Sequence, residues 1–222
     1  MYHRLTIVLI ALSAVFPVFG QISLGASVGG LLSTPQAHIS DQSLQLNLPA
    51  QRKIGFTAGL HADMPLGESG LRLMPNLRFA DKGFLARTEV VVQQTKVVFD
   101  LSNRMGFLEL GIPFGFATGI GDHSIFFGLG PYAALAVGGR IKTNVSINGI
   151  TDERSEPVRF GSGPGGYDRM DYGAELSAGL VFSSGLFLKG GYVYGIPDLS
   201  NDASNPIRQR CATLSAGYFF LR

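Results

Sequence analysis

The sequence predicts an all-β fold: an eight-stranded antiparallel up-and-down transmembrane β-barrel that follows a cleaved leader. Three observations predict it. Apolar residues alternate with polar or glycine residues over long stretches, the connections between those stretches alternate between long and short, and residues 1–20 are laid out like an export signal. Composition agrees, with 15% charged residues and 30 glycines in 222 positions, a mixture that suits strands with one face out of water.

The leader comes first. Arg4 supplies a positive start, Leu5 to Phe19 form an apolar run broken only by Thr6, Ser13 and Pro17, and Val18 and Gly20 are small enough for cleavage before Gln21. A membrane-anchoring helix is the competing reading, but that run falls short of the roughly 20 residues a helix needs to span hydrocarbon. The expected organisation is therefore a signal peptide at 1–20 and a barrel domain at 21–222. Cleavage leaves 17 cations against 16 acids, so nothing points to nucleic acid. The single cysteine, Cys211, excludes an intrachain disulfide.

Each predicted strand shows the two-residue period of a sheet with one apolar face. In the first, Ile22, Leu24, Ala26 and Val28 oppose Ser23, Gly25, Ser27 and Gly29. In the second, Ile54, Phe56, Ala58, Leu60, Ala62 and Met64 oppose Gly55, Thr57, Gly59, His61 and Asp63. Leu71, Leu73, Leu77 and Phe79 oppose Arg72, Met74, Asn76 and Arg78 in the third; Leu108, Leu110, Ile112, Phe114 and Phe116 oppose Glu109, Gly111 and Gly115 in the fourth. The fifth runs from Ile125 to Val137 and the sixth from Met170 to Leu180, with Asp171 and Glu175 on the polar side. Leu186 to Tyr194, with Lys189 on the polar side, and Ala212 to Phe220 complete the set. Membrane strands need about 9–11 residues, whereas globular strands are nearer 5 or 6.

Connections give an independent test. Those after strands one, three, five and seven (33–53, 80–105, 139–169 and 196–210) are long; those after two, four and six (65–70, 118–124 and 183–185) are short. Outer-membrane barrels have short periplasmic turns and long outer loops, and an even strand number then puts both termini in the periplasm. Within 80–105, the β-branched runs Thr88 to Val92 and Lys96 to Phe99 predict a hairpin projecting above the membrane. Pro75, Pro113 and Pro131 fall inside strands, where each removes a ladder donor.

Only a closed sheet satisfies every backbone group in lipid, so strand eight must pair with strand one. A soluble lipocalin-like barrel shares that topology. Here, however, the charges share the polar parity, so a soluble barrel would have its apolar face in water. At eight strands the lumen is filled by side chains rather than open.

Four segments, 73–84 (LMPNLRFADKGF), 107–113 (FLELGIP), 127–132 (FGLGPY) and 191–199 (GYVYGIPDL), resemble the PorT-like outer-membrane β-barrel proteins of Gram-negative bacteria. The resemblance implies an eight-stranded barrel and, for the founding members, a part in type IX protein secretion. Gly111 reads as one residue more than that pattern, which predicts a bulge in strand four.

The inward charges are Asp63, Arg72, Arg78, Glu109, Asp171, Glu175 and Lys189, three positive and four negative. With the turn at 65–70, Asp63 falls opposite Arg72, and the set reads as a structural plug of paired charges, since an unpaired charge in a narrow lumen is costly. His61 and Asp63 are a His–carboxylate pair on one face, but no serine is placed beside them, and His38, Ser40 and His123 are scattered on connections. The glycine-rich stretch 161–166 follows no strand-to-helix unit and reads as an outer loop, not a phosphate cradle. The expectation is therefore a barrel with no catalytic residues, no cofactor and no metal. Its partners are outer-membrane lipid and secretion or envelope proteins met through loops such as 139–169. A purely structural or adhesive barrel, a narrow channel and an outer-membrane enzyme are the other readings.

Overall fold

The computed structural model describes residues 22–41, 46–92, 95–148, 150–161, 163, 165–201 and 206–221. The expected signal peptide lies outside them. The strands are β1 (Ser23–Ser33), β2 (Gln36–Asp41), β3 (Leu46–Pro49), β4 (Lys53–Pro65), β5 (Leu71–Leu73), β6 (Asn76–Val92) and β7 (Thr95–Gly111). They continue with β8 (Phe114–Ile120), β9 (His123–Ile147), β10 (Ile150–Pro157), β11 (Met170–Val181), β12 (Leu186–Gly195), β13 (Ile207–Arg208) and β14 (Arg210–Leu221).

The sheet closes. β1 pairs with β14 on one side and with β4 on the other. Between them the order is sequential and antiparallel, from β4 to β6, β7, β9, β11, β12 and β14. β5 and β8 carry the β6 and β7 paths on past Pro75 and Pro113, so the barrel has eight strands.

The prolines do not open the sheet, because they lie on one diagonal and use their carbonyls. Ala62 N–H donates to Pro75 (2.9 Å), Met74 to Pro113 (2.9 Å) and Ile112 to Pro131 (3.0 Å). The donors lost at Pro75 and Pro113 sit at the breaks between β5 and β6 and between β7 and β8, while Pro131 lies within β9.

The expected bulge at Gly111 is not there: Gly111 keeps register with Tyr132 and Asn76. A Cβ on it would strike the Glu175 carboxylate and the Asn76 amide, so glycine there makes room for lumen groups. The irregularity falls higher, where Gly106 pairs with Gly138 and Phe107 with Ala136, leaving Val137 unpaired. That extra residue exchanges the two faces of β9 beyond it.

At the short-turn end, Gly121 (φ 58°) and Asp122 form a two-residue hairpin between Ile120 and His123, tighter than the expected connection at 118–124. At the other end the long connections are largely sheet. β6 and β7 form a hairpin paired as far as Val92 with Thr95. The stretch 139–169, read as a loop, instead prolongs β9 to Ile147 and returns as β10.

Faces are inverted relative to a soluble barrel. Val28, Phe127 and Leu214 are 68%, 63% and 69% exposed on the outside, while Arg78 and Glu109 are 6% and 1% exposed within. Such an outer surface belongs in hydrocarbon.

Candidate functional site

The interior starts from the inward rows of four strands. Asn76, Arg78 and Lys82 descend from β6, Glu109 from β7, Asp171 and Glu175 from β11, and Lys189 from β12. Every one of these side chains is buried. The period of two puts them on one face, and the narrow lumen brings the four strands within reach of each other.

They form a chain of alternating sign. Lys189 Nζ lies 3.2 Å from Glu175, and Glu175 also accepts from Arg78 (3.0 Å) and Asn76 (3.3 Å). Arg78 Nε donates to Glu109 at 2.6 Å. Lys82 continues the chain, 2.5 Å from Glu109 and 3.1 Å from Asp171, whose second donor is the Tyr132 hydroxyl at 3.0 Å. Near the short-turn end, Arg72 and Asp63 form a separate pair at 2.8 Å. The structure therefore places all seven expected residues on the inner face, joining five of them into one network and two into a pair.

Lys82 is the residue that sequence reasoning missed. It is fully buried, with Phe107 and Tyr132 rings 4.9 and 5.4 Å from its ammonium. It lies in the segment 80–105, which the sequence assigns to a connection, beside Asp81, which faces the other way and is held by Arg104 at 2.6 Å. A signal was present: seven inward charges left one acid unmatched, and Lys82 restores four of each sign.

His61 has a different neighbour from the one expected. Its Nε2 lies 2.7 Å from Ser27 Oγ, and its ring meets Phe187 edge-on at 5.5 Å. Register explains this, since Gly25 faces His61 and Ser27 faces Gly59 on the adjoining strand. Asp63 is turned to Arg72, so no Ser–His–acid relay is assembled. His123 lies at the short-turn end against Phe182, and His38 and Ser40 belong to β2. Of the glycine-rich stretch, Ser162 and Pro164 lie outside the described residues; Gly161 and Gly165 take positive φ, as a turn requires. Among the described residues no group of three His, Cys, Asp or Glu side chains could hold a metal.

Towards the long-connection end the lumen turns apolar. Met105, Phe107, Ala134, Ala136, Val193 and Cys211 line it, and Val158 and Leu199 fold in from the connections to close it. Ile207 adds a second contact with Phe84. Tyr167 accepts a hydrogen bond from Asn103 at 3.1 Å, and burial pushes its phenol above the usual value, keeping it neutral in this lid. Side chains thus fill the barrel from the ion pairs to the mouth.

Above the mouth, β6, β7, β9 and β10 form a continuous sheet. Its last strand is bare: all eight residues of β10 are exposed, and among the described residues it pairs only with β9. Asp152, Glu153, Arg154 and Glu156 on that edge discourage accidental strand addition. Ile147 and Ile150 stand at the tip, 47% and 79% exposed.

Comparison with known proteins gives the family. Residues 19–201 match the model described as outer membrane protein beta-barrel domain. Among solved structures, the attachment invasion locus protein Ail of Yersinia pestis, crystallised with a heparin analogue, is 17% identical with a TM-score of 0.36, over 90% of this chain and 100% of that one. Neisserial surface protein A is 11% identical with a TM-score of 0.37, over 90% and 97%. The outer-membrane protease OmpT of Escherichia coli is 10% identical with a TM-score of 0.30, over 90% and 97%. No curated protein matches the chain.

Proposed function

For a chain that belongs to the outer membrane protein β-barrel domain family, we propose a plugged barrel that serves as a rigid stand, with the β6–β7–β9–β10 sheet outside the cell as its binding surface. One observation carries the reading. β6, β7 and β9 run for 17, 17 and 25 residues, whereas about 9–11 cross a membrane, so the surplus is built as ordered sheet above it. The lumen's paired charges favour support over transport, because a pathway would need vacant space among them. In this reading both termini are periplasmic and the partner is an envelope or external macromolecule that meets the projecting sheet.

The test compares a strain lacking the gene with the same strain given back either the full chain or a chain in which 144–153 are replaced by Asn-Gly. That replacement joins the cross-strand partners Thr143 and Arg154 by a tight turn. Cell–cell and cell–surface attachment should return with the full chain and not with the trimmed one. Equal restoration by both would refute the binding surface.

A second reading, an accessory of protein secretion, is favoured by the PorT-like segments 73–84, 107–113, 127–132 and 191–199. It predicts cargo accumulating in the periplasm of the deletion strain. Matching secreted and periplasmic proteomes would rule it out.

A further inference from the structure

The outward-facing rows of the barrel end differently at the two membrane boundaries. At the long-connection end, the row of Ile54 on β4 ends in Arg52, and the row of Leu108 and Leu110 on β7 ends in Arg104. On β9 the unpaired Val137 exchanges the faces, which turns Arg140 and then Lys142 outward. At the short-turn end, no lysine or arginine among the described residues points outward: Arg72 is turned in to Asp63, and the turns carry Glu68 and Asp122.

Arg140 and Arg104 are direct cross-strand partners. Like charges facing each other on one side of a sheet repel, so the sheet alone does not account for the arrangement. Arg104 is offset by Asp81, 2.6 Å away. Arg140 has Arg104 on one side and Pro157 on the other, with no carboxylate directly opposite it. Lys142, two positions further out, reaches Glu153 only at 3.6 Å and is half exposed. The result is an outward cluster of cations where the apolar band stops, at the depth of lipid headgroups. Guanidinium groups bind phosphate oxygens in a planar, two-pronged geometry, and an anion bridging Arg104 and Arg140 would remove their repulsion.

We propose that Arg104, Arg140 and Lys142 form a binding site for the phosphate groups of anionic glycolipids in the outer leaflet. This rests on the outward placement of the long-connection end given above. The bulge at Val137 is then a positioning device: without it β9 would present Ile141 to the headgroups and turn Arg140 inward.

The test is native mass spectrometry of the full chain folded in neutral detergent, titrated with bisphosphorylated lipid A and with the same glycolipid stripped of phosphate. The phosphorylated form should bind more tightly. Arg140→Gln should weaken it roughly fivefold, and Arg140→Gln with Lys142→Gln about thirtyfold, from the contribution of each basic residue near an anionic surface. Arg140→Lys, which keeps the charge but not the two-pronged geometry, should fall between the parent and Arg140→Gln. Arg87→Gln removes an equal charge four residues beyond the level of Arg104 on β6, about 13 Å at ~3.3 Å per residue, and should change nothing. Equal binding of the two glycolipids, or a double variant that binds like the parent, would overturn the site. If the double variant does not fold, the phosphate comparison on the parent chain and the single variants decide. Failure is separable from failure of the outward reading, since the titration involves no cell and the placement is read by labelling intact cells.

Discussion

Lys82 Nζ and Glu109 Oε1 lie 2.5 Å apart at the centre of the barrel, with side-chain exposures of 0% and 1%. Four residues away on the same strand as Lys82, Arg78 binds the same carboxylate. Neither cation can be lost without leaving an acid uncompensated among buried groups, which makes the lumen a single electrostatic unit.

Lys82→Met should therefore destabilise the folded barrel by about 3–5 kcal/mol, the usual cost of stranding a buried charge. Lys82→Met combined with Asp171→Asn should recover a large part, because Glu109 keeps Arg78. Urea unfolding in lipid vesicles measures both. A single variant as stable as the parent would contradict the ion-pair account.

A filled lumen should not conduct. Purified barrel in planar bilayers is expected to give no unitary steps above the lipid baseline, and regular openings at modest voltage would show that the Arg78–Glu109–Lys82 layer leaves a path.

Gly111→Val places a side chain where the Glu175 carboxylate and the Asn76 amide now sit. Displacing both should cost about 1–3 kcal/mol, the range for overpacking. Gly138→Val, at a site with open space around its Cβ, should be nearly neutral by the same urea measurement.

The projecting sheet should hold its hydrogens. Amides of Arg87 to Asp100, apart from the tip, should exchange slowly because β6 and β7 pair throughout. Fast exchange across that whole stretch would mean that the hairpin is not formed.

The membrane part of this fold was legible because lipid outside and charge inside enforce one uninterrupted alternation, as from Ile54 to Met64 on β4. Above the membrane neither face has to be apolar, and the contrast fades. Ile141, Thr143, Val145 and Ile147 keep the parity of Leu135 and Val137 and alternate with Lys142, Asn144 and Ser146, but with Thr143 on one face and Asn144 and Ser146 on the other the contrast is weak, and the continuation of β9 reads as loop. The bulge at Val137 exchanges the faces without breaking that parity, so it is visible only from the register with β7. Gly111 misled in the opposite direction: its extra-residue appearance reflects space needed by Glu175 from β11, a neighbour distant in sequence. Ser27 beside His61 was equally illegible, since it follows from how β1 registers against β4.

The account depends most on which end of the barrel faces out. With Cys211 replaced by Ser, single cysteines introduced as Asn148→Cys and Asp122→Cys, at opposite ends of β9, can be treated in intact cells with a membrane-impermeant maleimide. The account predicts labelling at 148 in intact cells and at 122 only once the outer membrane is permeabilised; labelling at 122 with protection at 148 would contradict it.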